Sequence, residues 1–425
     1  MTPDELASAR WFRAKHRPIA SVSEVDRAPL TANAALVVLE VAYGDGGLSD
    51  RYLVPLVGDL EPADGKGAWR AIARLVASDG EVASERGRFV ASRTTALGGL
   101  LPDLGELDSL AERRLGVEQS NTSAVLGDRL ILKLYRLIET GENPDVEVGV
   151  FLTDAGFVDT PAVGGALVYL AADGSRASAA MLQAFVPSTG DAWAAMRRAL
   201  ATDPSAGLEI ARAIGTVTAR MHAALASRPS DPAFPARPAT TAETAAWRAT
   251  AERQLAQAVG AVSGDAHSRL VQVAPRVTAR LADTFGAATG EAAVSRIHGD
   301  YHLGQLLART DGGFSVIDFE GEPGRPLAER HVPGSPLRDV AGMLRSLDYA
   351  ARTAAAVDSA FEPDAWLAVA RSAFLDAYGG IGKHERALLD AFELEKACYE
   401  IRYEASNRPD WLWLPMAAVK RLARA

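Results

Sequence analysis

The spacing of apolar residues changes once along this chain, near residue 190, and that change limits the fold more than any single motif. Before it, short runs rich in Val, Leu and Ile alternate with turn-prone residues, the signature of strands. Ala34 to Ala42 and Tyr52 to Val57 are two such runs, joined by Gly44-Asp45-Gly46-Gly47. Trp69 to Ala77 has helical spacing, and Arg88 to Ser92 returns as a strand. From about Leu115 a second β-rich stretch begins. Thr122 to Leu126 and Arg129 to Tyr135 flank Gly127-Asp128, a compact turn that predicts a hairpin. Val146 to Thr153 reads as a helix, and Ala166 to Leu170 and Ala180 to Val186 as strands.

After Asp191 the three-to-four spacing of helices takes over. Leu208, Ala211, Gly215, Thr218, Met221 and Leu225 form one stripe, and Pro229, Pro232, Pro235 and Pro238 then forbid a helix. Further helices are predicted over Thr241 to Val262, Ala266 to Phe285, Pro336 to Ala350, Asp364 to Tyr378 and Glu385 to Ser406. The fold class is therefore mixed α/β, with a β-rich small lobe followed by a helical large lobe. In such a layout nucleotides bind at the junction. A chain of 425 residues exceeds one ordinary core. The expected division is a cap over residues 1–95, a nucleotide-binding part over 96–187 and a helical part over 188–425.

A net charge of −9 argues against nucleic acid as a partner. Cys398 is the only cysteine, which excludes an intrachain disulfide and argues against a cysteine-held zinc. The first ten residues lack an apolar signal core, and no uncharged run approaches the roughly 18 residues that span a bilayer. A cytoplasmic protein without a membrane partner is expected.

The chemistry concentrates in Ile297-His298-Gly299-Asp300-Tyr301-His302-Leu303-Gly304-Gln305 and in Val316-Ile317-Asp318-Phe319-Glu320. Two carboxylates 18 residues apart, with a carboxamide five residues after the first, form the set that phosphoryl transfer uses. Asp300 is the candidate base, and Gln305 and Asp318 are candidate Mg²⁺ ligands because both offer hard oxygens. Glu320 either joins them or closes the loop. His298 fits a structural hydrogen-bonding role in the turn. His302 is placed to touch phosphate or acceptor.

In the small lobe, Lys133 sits inside the apolar run Leu130-Ile131-Leu132-Lys133-Leu134-Tyr135 and needs a partner. Glu147, in the helix after Asn143-Pro144-Asp145, is the expected one, with Glu139 and Glu142 as competitors. Ser120 and Ser123, in Ser120-Asn121-Thr122-Ser123, are candidates to cover the phosphates of ATP. Gln183, Phe185 and Val186 end the last small-lobe strand, where an adenine would meet the backbone. Near the C-terminus, Glu393, Lys396, Glu400, Glu404 and Asn407 recur at helical spacing among Tyr399, Tyr403, Trp411 and Trp413. Carboxylates, amides and aromatic faces together suit a sugar.

These motifs resemble the aminoglycoside-phosphotransferase-like branch of the kinase fold, and within it the maltokinases and their relatives. The likeness lies in His298 to Gln305, in Asp318-Phe319-Glu320-Gly321-Glu322-Pro323 and in Pro336-Leu337-Arg338-Asp339-Val340-Ala341-Gly342-Met343-Leu344-Arg345-Ser346. Tyr403-Glu404, Asn407-Arg408-Pro409, Glu118 to Ser123 and Lys133 extend it, and residues 1 to 95 match as the group's N-terminal cap. The resemblance implies a bilobal protein-kinase-like fold, ATP and Mg²⁺ as cofactors, Asp300 as base, and Gln305 and Asp318 as metal ligands. It implies a sugar acceptor: maltose, phosphorylated at C1, or glucosamine, as in an actinobacterial offshoot, phosphorylated at O6. The short opening Ala9-Arg10-Trp11-Phe12-Arg13 is similar to that offshoot. A cationic amine at C2 wants a carboxylate, which Glu404 or Asp410, beside Trp411, could supply. An aminoglycoside acceptor or a non-catalytic scaffold are the remaining alternatives.

Overall fold

A computed structural model describes residues 1–116 and 120–423, so Glu118 and Gln119 lie outside the described residues. The chain divides into two compact units, residues 1–187 with 325–329 and residues 188–324 with 330–425. Among the described residues no helix is long and apolar enough to cross a membrane.

In the first unit the helix α1 (Pro3–Ser8) leads into β1 (Ile19–Pro29), β2 (Ala34–Tyr43) and β3 (Asp50–Val57), an antiparallel sheet in that order. β2 explains its own unbroken apolar run. Successive side chains of a strand point to opposite faces, and here both faces are covered. Leu36 and Val38 enter a core with Trp69, Ile72, Phe89, Leu132 and Leu167. Val37, Leu39 and Val41 enter a second core with Trp11, Phe12, Tyr52 and Val54. Each such side chain, buried fully, contributes about 1.5–3 kcal/mol.

The first core lies under a seven-stranded antiparallel sheet. Its strands are β4 (Glu81–Ala83), β5 (Gly87–Arg93), β6 (Glu112–Arg114), β7 (Asn121–Leu126), β8 (Leu130–Tyr135), β9 (Val163–Ala171) and β10 (Arg176–Ala184), in the order β4-β5-β9-β10-β8-β7-β6. Helices α2 (Ala68–Ala77), α3 (Leu97–Leu100) and α4 (Pro144–Asp154) complete the unit. The predicted hairpin joins β7 to β8. Gly127 and Asp128 both take positive φ, 58° and 49°, and Arg129 N–H closes the turn on the Leu126 carbonyl at 3.1 Å. Paired positive φ matches the twist of the flanking strands.

The second unit is mainly helical. A small sheet, β11 (Ser188–Asp191), β14 (Leu306–Arg309) and β15 (Phe314–Val316), is paired in that order, and β12 (Arg237–Pro238) pairs with β13 (Ala293–Val294). Its helices are α5 (Ala192–Thr202), α6 (Pro204–Leu225), α7 (Thr241–Ala261) and α8 (Gly264–Ala287), then, after the single turn α9 (Leu327–Arg330), α10 (Leu337–Val357), α11 (Pro363–Tyr378), α12 (Lys383–Asn407) and α13 (Trp413–Leu422). The stripe on α6 is buried from Ala211 to Leu225, and Leu208 is partly exposed. The four prolines fall in the non-helical stretch between α6 and α7.

Candidate functional site

The loop from His298 to Gln305 is partly buried and irregular up to a single 3-10 turn at Leu303–Gln305, so its N–H groups need partners from elsewhere. Asp339, in the first turn of α10, supplies two. Its carboxylate accepts from His298 N–H at 2.8 Å and from Gly299 N–H at 2.9 Å, and meets His222 Nε2 at 3.1 Å. Burial works against this charge, but the His222 hydrogen bond and the Gly299 N–H outweigh it and hold Asp339 below the usual carboxylate range. Leu303 N–H donates to Ser346 Oγ at 3.1 Å, and the Tyr301 hydroxyl meets Thr218 Oγ1 at 2.9 Å. A Cβ at Gly342 would stand 2.6 Å from the Tyr301 carbonyl oxygen, so α10 lies flush against the loop only because residue 342 is glycine.

His298 is structural, as expected. Its Nε2–H donates to the Ile317 carbonyl at 3.0 Å, tying the Asp300 loop to the segment that carries Asp318. Ile317 N–H returns a bond to the Gln305 carbonyl at 3.0 Å. The two candidate metal ligands therefore come together: Gln305 Nε2 donates to Asp318 Oδ2 at 3.2 Å. Asp318 itself takes φ of +67°, a left-handed conformation that costs a non-glycine residue and recurs at functional sites. A carboxylate oxygen of Glu320 lies within 4.8 Å of one from Asp318. Two carboxylates and a carboxamide fit a hard divalent cation, provided the Gln305 amide turns its oxygen toward it.

Asp300 faces Lys396 on α12, with Nζ 3.5 Å from Oδ1, and the same ammonium lies 3.8 Å from Glu322. Burial alone would lower the Lys396 pKa. The attraction of Asp300, Glu322 and Glu400 wins and holds it above the ordinary lysine value. His302 Nδ1 accepts the Gly304 N–H at 3.0 Å, and burial pushes the His302 pKa down. A neutral ring that accepts at Nδ1 carries its proton on Nε2, so His302 offers a donor.

Next to this loop lies a cavity of about 750 Å³. His302, Lys396, Tyr399, Glu400, Tyr403, Glu404 and Trp411 line it. The polar stripe on α12 is thus not a solvated face. Glu400 is held by Arg345 at 2.6 Å, and Glu404 by Arg408 at 2.7 Å and the Tyr349 hydroxyl at 3.1 Å. Glu393 turns inward to Arg371 at 2.5 Å, while Asn407 caps the Tyr403 carbonyl and Trp413 is exposed. Asp410 is exposed and is not among the described residues lining the cavity.

In the first unit, Lys133 is half-hidden on β8 with Ser123 directly across the pair on β7. Its ammonium donates to an Asp145 carboxylate oxygen at 2.7 Å, a carboxylate two residues before the Glu147 expected from spacing. The reason is the helix start. Asn143 caps α4 by accepting the Asp145 N–H at 2.9 Å, which seats Asp145 in the first turn, 3% exposed, where it also accepts the Tyr135 hydroxyl at 3.1 Å. Ser120 immediately precedes β7. Gln183 lies on β10 opposite Ile131, and Phe185 and Val186 follow, with Phe185 N–H bonded to the Arg129 carbonyl. Sequence reasoning assigned no role to Asp339, His222, Arg345 or Arg408. Asp339 and Arg345 stood in the quoted segment Pro336 to Ser346, which was their only signal.

Residues 112–388 match the phosphotransferase enzyme family. The chain belongs to that family. Residues 6–84 match the maltokinase N-terminal cap domain. Among curated proteins, this phosphotransferase is 32% identical over 328 residues to the glucosamine kinase of Streptacidiphilus jiangxiensis, covering 72% of each chain. It is 29% identical over 330 residues to the glucosamine kinase of Mycolicibacterium smegmatis, covering 73% of this chain and 79% of that one. A solved glucosamine kinase in complex with glucosamine, ADP and inorganic phosphate is similar with a TM-score of 0.74 and 26% identity, over 99% of this chain and all of that one. A solved glucosamine kinase in crystal form A has a TM-score of 0.72 and 27% identity over 99% of both chains. The expected kinase-like fold, β-rich and then helical, is the fold of this phosphotransferase.

Proposed function

We propose that this phosphotransferase moves the γ-phosphoryl group of ATP to O6 of glucosamine. One observation carries the reading: Asp300 stands beside a cavity walled by Glu400, Glu404 and aromatic rings. The glucosamine kinases to which the chain is similar over most of its length support the choice of acceptor. Asp300 accepts the O6 proton as O6 bonds to the γ-phosphorus and the bond to the bridging oxygen breaks, releasing ADP. Gln305 and Asp318, with Glu320 beside them, would hold Mg²⁺, which when bound neutralises phosphate charge. Lys396, 3.5 Å away, holds the Asp300 carboxylate in place, and the His302 Nε2–H is a donor for acceptor or phosphate oxygen. Lys133, fixed by Asp145, Ser120 and Ser123 are the proposed phosphate contacts, and Gln183, Phe185 and Val186 the adenine contacts. In this reading residues 1–95 form a cap, 96–187 serve the nucleotide and 188–425 the acceptor, and the reaction takes place in the cytoplasm.

C2 lies across the pyranose ring from C5, so with O6 at Asp300 the amine faces away from the loop. Glu404 and Glu400 are the carboxylates lining that wall, which favours them over the exposed Asp410. The maltokinase cap domain over residues 6–84 favours maltose as a second reading. An ADP-release assay with glucosamine, maltose, glucose and an aminoglycoside tests both, with NMR to locate the phosphate. Turnover of maltose to a 1-phosphate, with none of glucosamine, overturns the amino-sugar reading.

A further inference from the structure

The cavity beside Asp300 is larger than one amino sugar. Glucosamine has about twelve non-hydrogen atoms; even at the roughly 30 Å³ that each water takes in the liquid, it fills at most about 360 Å³. The cavity holds about 750 Å³. Its length is set by α10, whose lining residues Gly342, Ser346, Tyr349, Thr353 and Val357 recur every three or four positions along one face. At about 1.5 Å per residue that stripe runs about 22 Å, whereas a pyranose ring spans about 8 Å, one and a half turns. Gly342 and Ser346 touch the Asp300 loop. The Thr353 to Val357 end is what a monosaccharide leaves unfilled.

That far end carries a charge the reaction does not use. Three cations other than histidine line the cavity: Arg197, Lys396 and Arg408. Lys396 is engaged by Asp300 and Glu322, and Arg408 by Glu404. Arg197 is exposed and has no hydrogen-bond or ion-pair partner among the described residues. It lies about one and a half turns along α5 from the end nearest the loop, where Asp191 pairs with Leu307 of β14, two residues past Gln305. Its neighbour Met196 packs with Leu200 against Gly207 and Trp366 of α11. The start of α11 is also where Arg352, in the last turns of α10, reaches Asp364 at 2.8 Å. Arg197 and the end of α10 therefore share one end of the cavity.

We propose that Thr353, Val357 and Arg197 form a second acceptor subsite, for an anionic substituent carried on the anomeric oxygen of the amino sugar. The proposal rests on the amino-sugar reading above. With O6 at Asp300, C1 lies beside the amine-bearing C2 on the far side of the ring, so a substituent there leads away from the loop along α10. An anionic aglycone then meets the guanidinium of Arg197, whose fork suits carboxylate and phosphate alike.

Three acceptors test it in the same ADP-release assay: glucosamine, phenyl glucosaminide and 4-carboxyphenyl glucosaminide. The two aglycones are of nearly equal size and differ in charge. The carboxylated compound is expected to show a KM roughly 3- to 10-fold below that of the neutral one, the range of a partly exposed charge-assisted contact. Arg197→Ala removes that advantage and leaves glucosamine within about twofold. The subsite is overturned if the two aglycones have equal KM, or if their ratio survives Arg197→Ala. Failure of the amino-sugar reading looks different, as no turnover of glucosamine by the unmodified enzyme. In that case calorimetric binding of the two aglycones to both proteins decides the subsite by the same ratio.

Discussion

The ammonium of Lys396 lies 3.5 Å from Asp300 Oδ1 and 3.8 Å from Glu322 Oε1, so one cation separates two carboxylates beside the proposed base. Without it, two like charges face each other in a partly buried site. Lys396→Met is expected to lower kcat by about 10- to 100-fold, the size of a positioned acid–base contribution. Lys396→Arg, which keeps the charge, retains more activity. Steady-state kinetics at saturating ATP check this, and a Lys396→Met enzyme within twofold of the original shows that Asp300 needs no cation beside it.

Asp339 makes a separate prediction, about stability. It is 2% exposed and satisfies His298 N–H, Gly299 N–H and His222 at once. Asp339→Ala strands all three and is expected to cost about 3–5 kcal/mol, against about 1–3 for Asp339→Asn. Because its folded pKa is depressed, the contribution is present above the ordinary aspartate value of 3.8 and is lost as pH falls through the folded pKa. Urea unfolding of the three proteins at pH 7 gives the costs. Equal midpoints for Asp339→Ala and the unmodified chain contradict the anchoring role.

What was legible in the residues divides along physical lines. Long helices were readable because their three-to-four spacing persists over many turns: α7, α8, α11 and α12 begin and end within a few residues of expectation. β1 was not readable. Most of its residues are exposed or half-buried, so no alternation marks it. The Asp300 loop was readable because its chemistry is local, within nine residues and a second segment close behind. Its supports were not, since Asp339 acts on a residue 41 positions away and Arg345 holds Glu400 at a separation of 55. Spacing along one chain carries no information on such pairs. The α12 stripe had helical spacing whether its charges faced water or, as found, arginines.

Gly304 sits where a side chain would touch His302. A Cβ there falls 2.8 Å from His302 Cε1 and 3.0 Å from Nδ1. Gly304→Ala must push the ring aside and weaken the bond that fixes its tautomer. The expected result is a rise in acceptor KM of roughly fivefold with about 1 kcal/mol or less lost in stability, since the ring relieves the clash at the expense of one hydrogen bond. An unchanged acceptor KM removes His302 from the acceptor site.

His302 also predicts a pH effect. Burial depresses its folded pKa below 6.5, so between that ordinary value and the folded pKa the unfolded chain binds the extra proton. Stability from this group is therefore complete above pH 6.5 and declines as pH falls toward the folded pKa. Urea midpoints at pH 7.5, 6.0 and 5.0 should fall less steeply for His302→Asn than for the original chain. Parallel slopes for the two proteins count against a neutral buried His302.

The contact of Lys133 with Asp145 sets a second carboxylate beside the Glu147 that spacing singled out. Asp145 is buried and takes both Lys133 and the Tyr135 hydroxyl, so Asp145→Asn leaves a mostly buried ammonium with a weaker acceptor. If Lys133 binds phosphate, its displacement raises the KM for ATP, by about 10-fold on the scale of a lost charge-assisted hydrogen bond. The acceptor KM should move little, because Lys133 is not among the described residues that line the cavity. Glu147→Gln is expected to raise the ATP KM by less, about twofold to threefold, because the 2.7 Å contact of the ammonium is with Asp145. Measuring ATP KM for both variants at fixed acceptor decides between them: an effect of Glu147→Gln larger than that of Asp145→Asn returns the supporting role to Glu147.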